Sequence, residues 1–165
     1  MNANLNRRYL LSLASLGALM AATGCSARAP AAGGPGIAPL TLSDAEWKKR
    51  LPDLAYKVLR HEATERPFSS PLLDEHRKGT FACLGCDLTL FESATKYDSG
   101  TGWPSFFRAI PGHLATKTDF AIGVPRTEYH CARCGGHHGH LFDDGPAPTG
   151  KRYCSNGAAL KFIAA

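Results

Sequence analysis

Two Cys-x-x-Cys units, Cys83-Leu84-Gly85-Cys86 and Cys131-Ala132-Arg133-Cys134, constrain this chain more than any other feature. The spacing lets the backbone turn tightly, so that the two sulfurs of a unit converge on one point. Paired, two such knuckles offer the closed, tetrahedral set of four thiolates that zinc takes in structural sites. The stretch between them is far longer than the loop of a compact finger. A shared ion would therefore pin two distant parts of a sheet rather than fold a small loop, and its binding would contribute directly to folding. Such a metal holds the fold and does no chemistry. Two other arrangements suit the same residues. Cys131, Cys134, His137 and His140 recur at every third position, which allows a local two-Cys, two-His site and leaves Cys83 and Cys86 as a redox pair. In an oxidising compartment both pairs can instead form disulfides. The identical spacing of the two knuckles favours one shared ion.

The other two cysteines stand apart. Cys25 ends a leader that carries no acidic residue, starts basic at Arg7-Arg8 and is apolar from Tyr9 to about Ala22. That run is too short and too rich in small residues for a membrane span of about 20 apolar residues, and it reads as a signal peptide over 1–24. Ala22-Thr23-Gly24-Cys25 resembles the lipobox of bacterial lipoproteins, in which the cysteine becomes the acylated N-terminus, so Cys25 is expected to be a lipid anchor. Asn6-Arg7-Arg8-Tyr9-Leu10-Leu11 looks loosely like a twin-arginine export signal. Residues 25–40, mostly Ala, Pro and Gly, form a flexible linker. An exported domain, periplasmic or in the cell envelope and tethered to a membrane through lipid alone, follows.

The domain occupies 41–165. Apolar residues make up 44% of the chain, enough for a real core. The charge of +5, from 19 basic and 14 acidic residues, is not gathered into a run, and Trp47-Lys48-Lys49-Arg50 is the densest stretch. Nucleic acid is thereby excluded as a partner, because its binders need many phosphate contacts. Ser43-Asp44-Ala45-Glu46 matches a capping box and predicts a short helix ending near Pro52, with Asp53 capping a second helix through Arg60. Beyond it the pattern predicts short strands at Gly79–Cys83, Leu88–Glu92, Leu114–Thr118, Glu128–Cys131, His140–Phe142 and Arg152–Cys154, separated by turns such as Asp98-Ser99-Gly100. The fold class is mainly β, antiparallel, with small helices at its N-terminal edge.

Cys154 lies in Arg152-Tyr153-Cys154-Ser155-Asn156, where alternation puts Arg152, Cys154 and Asn156 on one face. A cation beside a thiol favours the reactive thiolate, and an amide two residues on can hold a polar substrate group. His137 and His140, in a glycine-rich segment, can supply a proton to a departing oxygen. His138 has no claim beyond adjacency. Trp103, between Gly102 and Pro104, offers an indole wall for a small apolar group such as a methyl.

Together these residues resemble the B-type methionine sulfoxide reductases. The resemblance runs in order through Leu42-Ser43-Asp44-Ala45-Glu46-Trp47, Cys83-Leu84-Gly85-Cys86, Gly102-Trp103-Pro104-Ser105-Phe106, Cys131-Ala132-Arg133-Cys134, His137-x-Gly-His140-x-Phe142, Asp144-Gly145-Pro146 and Pro148-Thr149-Gly150-x-Arg152-Tyr153-Cys154-x-Asn156. It implies two antiparallel β-sheets with short N-terminal helices. It also implies reduction of the R epimer of methionine sulfoxide in oxidised proteins or peptides. Cys154 matches the nucleophile, His137 and His140 the histidines that orient and protonate the sulfoxide oxygen, and Asn156 an amide of the same pocket. Trp103 matches the indole that receives the substrate methyl, and Cys83, Cys86, Cys131 and Cys134 match the structural zinc site of many members.

The chain departs from the family at two places. Many members carry a resolving cysteine where Thr101 stands, and with the other cysteines committed to zinc or lipid, a thioredoxin-like dithiol or a small thiol must act on Cys154 directly. Ser155 and Gly157 replace bulkier or hydroxylated residues, a change expected to alter packing rather than chemistry. A monomer is expected. Two other functions compete: a non-catalytic zinc-stabilised protein-binding module, which has no need of Cys154, His137, His140 and Trp103, and a thiol–disulfide oxidoreductase, which needs a dithiol at a helix N-terminus in a βαβ setting that surrounds neither pair.

Overall fold

A computed structural model describes residues 36–165. The leader, Cys25 and most of the predicted linker lie outside these residues. Its end does not: Ile37 and Leu40 pack against the core, and the Leu40 N–H donates to the Arg133 carbonyl at 2.8 Å. The folded unit thus takes in the last residues assigned to the linker.

Helix α1 spans Asp44–Arg50 and is started by the expected box, the Ser43 N–H donating to Glu46 at 2.8 Å and the Ser43 hydroxyl accepting from the Glu46 N–H. Acidic residues fill its first turn and basic residues its last, which suits the helix dipole at both ends. Only Trp47 is buried. Helix α2 spans Asp53–His61 and buries Ala55, Val58 and Leu59, one stripe at helical spacing. Asp53 is not the cap: Pro52 holds that position without a side-chain bond, and Asp53 sits in the first turn, where its charge faces the exposed amides.

The strands are β1 Gly79–Cys83, β2 Thr89–Glu92, β3 Lys96–Tyr97, β4 Ser105–Phe106, β5 Leu114–Asp119, β6 Arg126–Cys131, β7 His137–Phe142, β8 Arg152–Ser155 and β9 Leu160–Ala164. They form two antiparallel sheets, β2-β1-β9 and β3-β4-β8-β7-β6-β5. All six predicted strands are present. Three more join them: β3 and β4 are two residues long, too short to show alternation, and β9 carries apolar residues on both of its faces. Aromatic rings weld the sheets together. Phe91 of β2 stacks on Phe106 of β4 at 4.1 Å, and Phe81 of β1 meets the same ring edge-on at 4.9 Å. Helix α2 packs on β7 and on the turn 157–159, and α1 packs on α2. Among the described residues no helix is long and apolar enough to cross a membrane.

Candidate active site and metal centre

The two knuckles are built alike. The Cys83 N–H donates to Leu88 O at 2.8 Å and its carbonyl accepts from the Asp87 N–H at 2.9 Å; the Cys131 N–H donates to Gly136 O and its carbonyl accepts from the Gly135 N–H, both at 2.9 Å. Each chain then turns through a left-handed residue, Asp87 (φ 66°) or Gly135 (φ 68°). The result brings all four sulfurs within 4.8 Å of one another, all buried, with Cys83–Cys134 at 3.6 Å and Cys86–Cys131 at 3.4 Å. The set can hold a metal ion: tetrahedral Zn–S bonds of about 2.3 Å set sulfurs about 3.8 Å apart. The thiols are free, not disulfide-bonded. Without a cation, hydrogen bonds from the neighbouring sulfurs and burial push the Cys83 thiol well above its ordinary range. Arg133 donates to the Cys86 carbonyl at 3.1 Å and Arg60 to the Cys134 carbonyl at 3.0 Å, so two cations face the cluster.

The ligand set has no histidine, since His137 and His140 are engaged elsewhere, and the local two-Cys, two-His arrangement falls. So does the expectation that the ion would join two parts of one sheet. The first knuckle ends β1 and the second ends β6, which lie in different sheets, and the ion site clamps the two sheets at one end. Trp47 and Leu59 cover it; a Cβ on Gly136 would approach Leu59 to 2.8 Å.

The candidate reactive groups lie on the larger sheet. Its register places Tyr97, Ser105, Cys154, His140, Glu128 and Lys117 opposite one another in a single row across six strands. Directly opposed residues share a face, so Cys154 and His140 project to the same side. His137 joins them because β7 bulges: Tyr129 pairs with Gly139 but His130 pairs with His137, leaving His138 as the extra residue. Without it, residues three apart on a strand would face opposite ways. The rings of His137 and His140 lie 5.6 Å apart, edge to face. The extra residue turns inward, and His138 is fully buried with its ring parallel to that of Tyr129. Burial drives the pKa of His138 down to about 3. Gly139 must lack a side chain, because a Cβ there would stand 1.9 Å from the Cys154 carbonyl.

Carboxylates fix both imidazoles. His137 Nδ1 lies 2.9 Å from Glu128, whose other oxygen meets Lys117 at 2.7 Å; His140 Nε2 lies 2.8 Å from Asp119, which also binds Arg126 at 2.6 Å. Burial lowers the His140 pKa, against the pull of Asp119. Sequence reasoning missed Glu128 and Asp119 as site residues. Both sit on predicted strands or at their ends; for Glu128 the signal was a charged residue in a largely buried strand, whereas Asp119 ends the exposed edge strand β5 and gave none, and only the folded side chains show which imidazole each one meets.

A pocket of about 140 Å³ opens over this face, lined by Thr64, Trp103, Arg126, His140, Cys154 and Asn156 among others. His140 therefore reaches the pocket directly, whereas His137 is buried against it. Trp103 is held by a bond from Nε1 to the Glu65 carbonyl at 3.1 Å. Asn156 lies just past β8 and uses its side chain structurally: Oδ1 accepts from the Glu65 N–H at 2.9 Å, and Nδ2 donates to the His138 carbonyl at 3.0 Å. Arg152 shares the face of Cys154, but its guanidinium is committed to Asp144 by two bonds of 2.8 and 2.7 Å. Burial raises the Cys154 pKa above its ordinary value, outweighing the Arg152 charge. That burial favours the thiol, against the pull of Arg152 toward the thiolate. Ser155 and Gly157 have packing roles, Ser155 bonding the buried Tyr129 hydroxyl at 2.5 Å and Gly157 leaving no room for a Cβ beside Ser70.

Comparison with known proteins decides the family. The SelR domain matches residues 51–164. The chain is 52% identical over 120 residues to the peptide methionine sulfoxide reductase MsrB of Bradyrhizobium diazoefficiens, a match covering 72% of this chain and 86% of that protein. It is 49% identical over 121 residues to the MsrB of Agrobacterium fabrum (73% and 90% covered), and 50% identical over 121 residues to that of Methanosarcina barkeri (73% and 85%). The chain belongs to the B-type methionine sulfoxide reductases. The two-sheet fold, the four-cysteine cluster and the thiol facing a histidine accord with that membership.

Proposed function

We propose that this chain reduces the R epimer of methionine sulfoxide in oxidised proteins or peptides, with Cys154 as nucleophile. The observation that carries the reading is the opposition of Cys154 and His140 across β8 and β7 at the mouth of a pocket walled by Trp103. A sulfoxide is a poor electrophile until its oxygen is protonated. His140, with Nε2 held by Asp119, has its other ring nitrogen to carry the Cys154 proton to that oxygen, and His137 with Glu128 backs it. The sulfur of Cys154 attacks the sulfoxide sulfur while Trp103 receives the methyl. The substrate leaves as methionine, two electrons richer, and Cys154 keeps the oxygen as a sulfenic acid. A thioredoxin-like dithiol or two equivalents of a small thiol then return the cysteine, releasing water and a disulfide. Thr101 provides no thiol for an internal relay.

The four-cysteine cluster fits zinc, whose part is structural: it ties β1 to β6 and takes no part in the reaction. The sequence of the leader supports export and acylation at Cys25, which would place repair next to a membrane; equal detergent partitioning of the full chain and its Cys25→Ala variant would remove the anchor. No feature of the site favours a purely binding module.

The test uses the full chain, reduced with dithiothreitol, on separate R and S epimers of a methionine sulfoxide peptide, beside Cys154→Ser. Methionine from R alone, abolished in the variant, is expected. Turnover of neither epimer by folded protein, or undiminished turnover by the variant, would overturn the reading. An intramolecular disulfide at Cys154 after one turnover without reductant would overturn direct reduction by an external thiol.

A further inference from the structure

Two cation–carboxylate pairs cross from β5 to β6 on one face of their hairpin. The register sets Lys117 opposite Glu128 and Asp119 opposite Arg126. The order of charge reverses from one pair to the next, yet each carboxylate reaches an imidazole of β7: Glu128 meets His137 and Asp119 meets His140. Each carboxylate that holds a histidine therefore also holds a cation.

The second pair is the one at the pocket. Asp119 Oδ1 accepts from the Ala121 N–H at 2.7 Å, and Oδ2 meets both the Arg126 guanidinium at 2.6 Å and His140 Nε2 at 2.8 Å. Arg126 lines the pocket together with His140 and Cys154. It binds Asp119 through one terminal nitrogen, and its Nε is buried without a hydrogen-bond partner. The residue thus supplies charge at a single oxygen rather than a two-pronged clasp.

Counting protons shows what that charge does. An ionised carboxylate can only accept, so the His140 nitrogen that faces Asp119 carries a proton. In a neutral ring Nδ1 is then bare and can take the proton of Cys154, which lies opposite on β8. In an imidazolium Nδ1 is already protonated and can take none. A lone carboxylate favours the imidazolium, and a guanidinium on the same oxygen opposes it. Burial and the Arg126 charge push the His140 pKa down, while Asp119 pushes it up.

We propose that Arg126 is a positioning residue for the sulfoxide reductase reaction: by balancing Asp119 at the oxygen it shares with His140, it lets that carboxylate orient the ring without holding a proton on Nδ1. The inference rests on the reading of Cys154 as the nucleophile and His140 as its proton carrier.

The other charged and titratable groups that face His140 are His137 on its own strand and its register partners, Glu128 of β6 and Cys154 of β8. Helix α2 also packs on β7, but Arg60 donates to the Cys134 carbonyl, and Glu62 beyond the helix binds Lys117. A change at Arg126 leaves all of these in place.

The test follows the imidazole nitrogen signals of the full, zinc-loaded chain against pH by NMR, with His140 assigned as the signals absent from His140→Gln. The neutral ring is expected to be protonated at Nε2. Arg126→Met keeps the stem and removes the charge. Its His140 midpoint is expected to move to higher pH, and its kcat/KM for a sulfoxide peptide to fall about tenfold on the acid side while matching the wild type on the alkaline side. Arg126→Lys is expected to restore both. A neutral ring protonated at Nδ1, or an unmoved or lowered midpoint, overturns the proposal. So does a kcat/KM reduced equally at every pH, the mark of a merely structural role. Should Arg126→Met fail to fold, Arg126→Gln keeps a donor for Asp119 without the charge and decides by the same midpoint. The titration needs no turnover, so a failure of sulfoxide reduction would strike the functional reading and remain distinguishable from a failure here.

Discussion

The backbone N–H of Glu65 donates to Oδ1 of Asn156 at 2.9 Å across 91 positions of sequence, while the Glu65 carbonyl takes the indole N–H of Trp103. One residue thus registers two walls of the pocket against each other. Its carboxylate closes the arrangement by accepting from the amides of Gly157 and Ala158.

Asn156→Ala leaves the Glu65 N–H buried without a partner. Its expected effects are a loss of about 2–3 kcal/mol in stability, by urea unfolding, and a raised KM for sulfoxide as the Trp103 wall loosens. A variant as stable as the wild type would show that water replaces the amide, and the registering role would be lost.

Glu128 is buried between His137 and Lys117. Glu128→Gln keeps the volume and one acceptor oxygen but removes the charge that orients and supports the imidazole. The expectation is a fall in kcat of about tenfold or more with KM little changed. Steady-state kinetics on a sulfoxide peptide check it, and an unaltered kcat would restrict Glu128 to folding.

The metal centre predicts a stability effect instead. Because the four sulfurs join β1 of one sheet to β6 of the other, Cys83→Ser should lose bound zinc and lower the Tm by ~10 °C or more. Metal content by atomic absorption and calorimetry on the same samples measure both. A metal-free variant with an unchanged Tm would mean that the aromatic contacts of Phe81, Phe91 and Phe106 hold the sheets unaided.

Much of this architecture was readable before any coordinates. The knuckles, the Ser43 capping box and the bounds of β1 follow from local spacing and capping chemistry, and those are fixed by residues a few positions apart. The site residues were findable as types, but their juxtaposition was not. His137 and His140 share a face only because of the extra residue at His138, and β7 starts three residues before the predicted strand because Gly139, lacking a side chain, lets β8 approach. Glu65 left no periodic trace, since it holds the pocket walls through its backbone groups and its carboxylate meets amides 92 and 93 positions away. The upward push on the Cys154 pKa comes from how deeply the sulfur is buried, a quantity that alternation cannot supply.

The last expectation concerns acid. His138 has an ordinary pKa of 6.5 and a folded one of about 3, because both ring nitrogens are buried without a hydrogen-bond partner and the charged form is excluded. A histidine whose folded pKa is depressed binds more protons when unfolded, so its presence costs stability in acid. The penalty is absent above pH 6.5, where both states are neutral, and grows as pH falls from 6.5 toward 3. His138→Leu keeps an apolar side chain against Tyr129 and removes the titration. Its Tm should therefore exceed that of the wild type by a margin that widens steadily over that interval. Parallel Tm curves for the two proteins would show that the His138 ring is hydrated, and that the acid sensitivity of the fold lies in other groups.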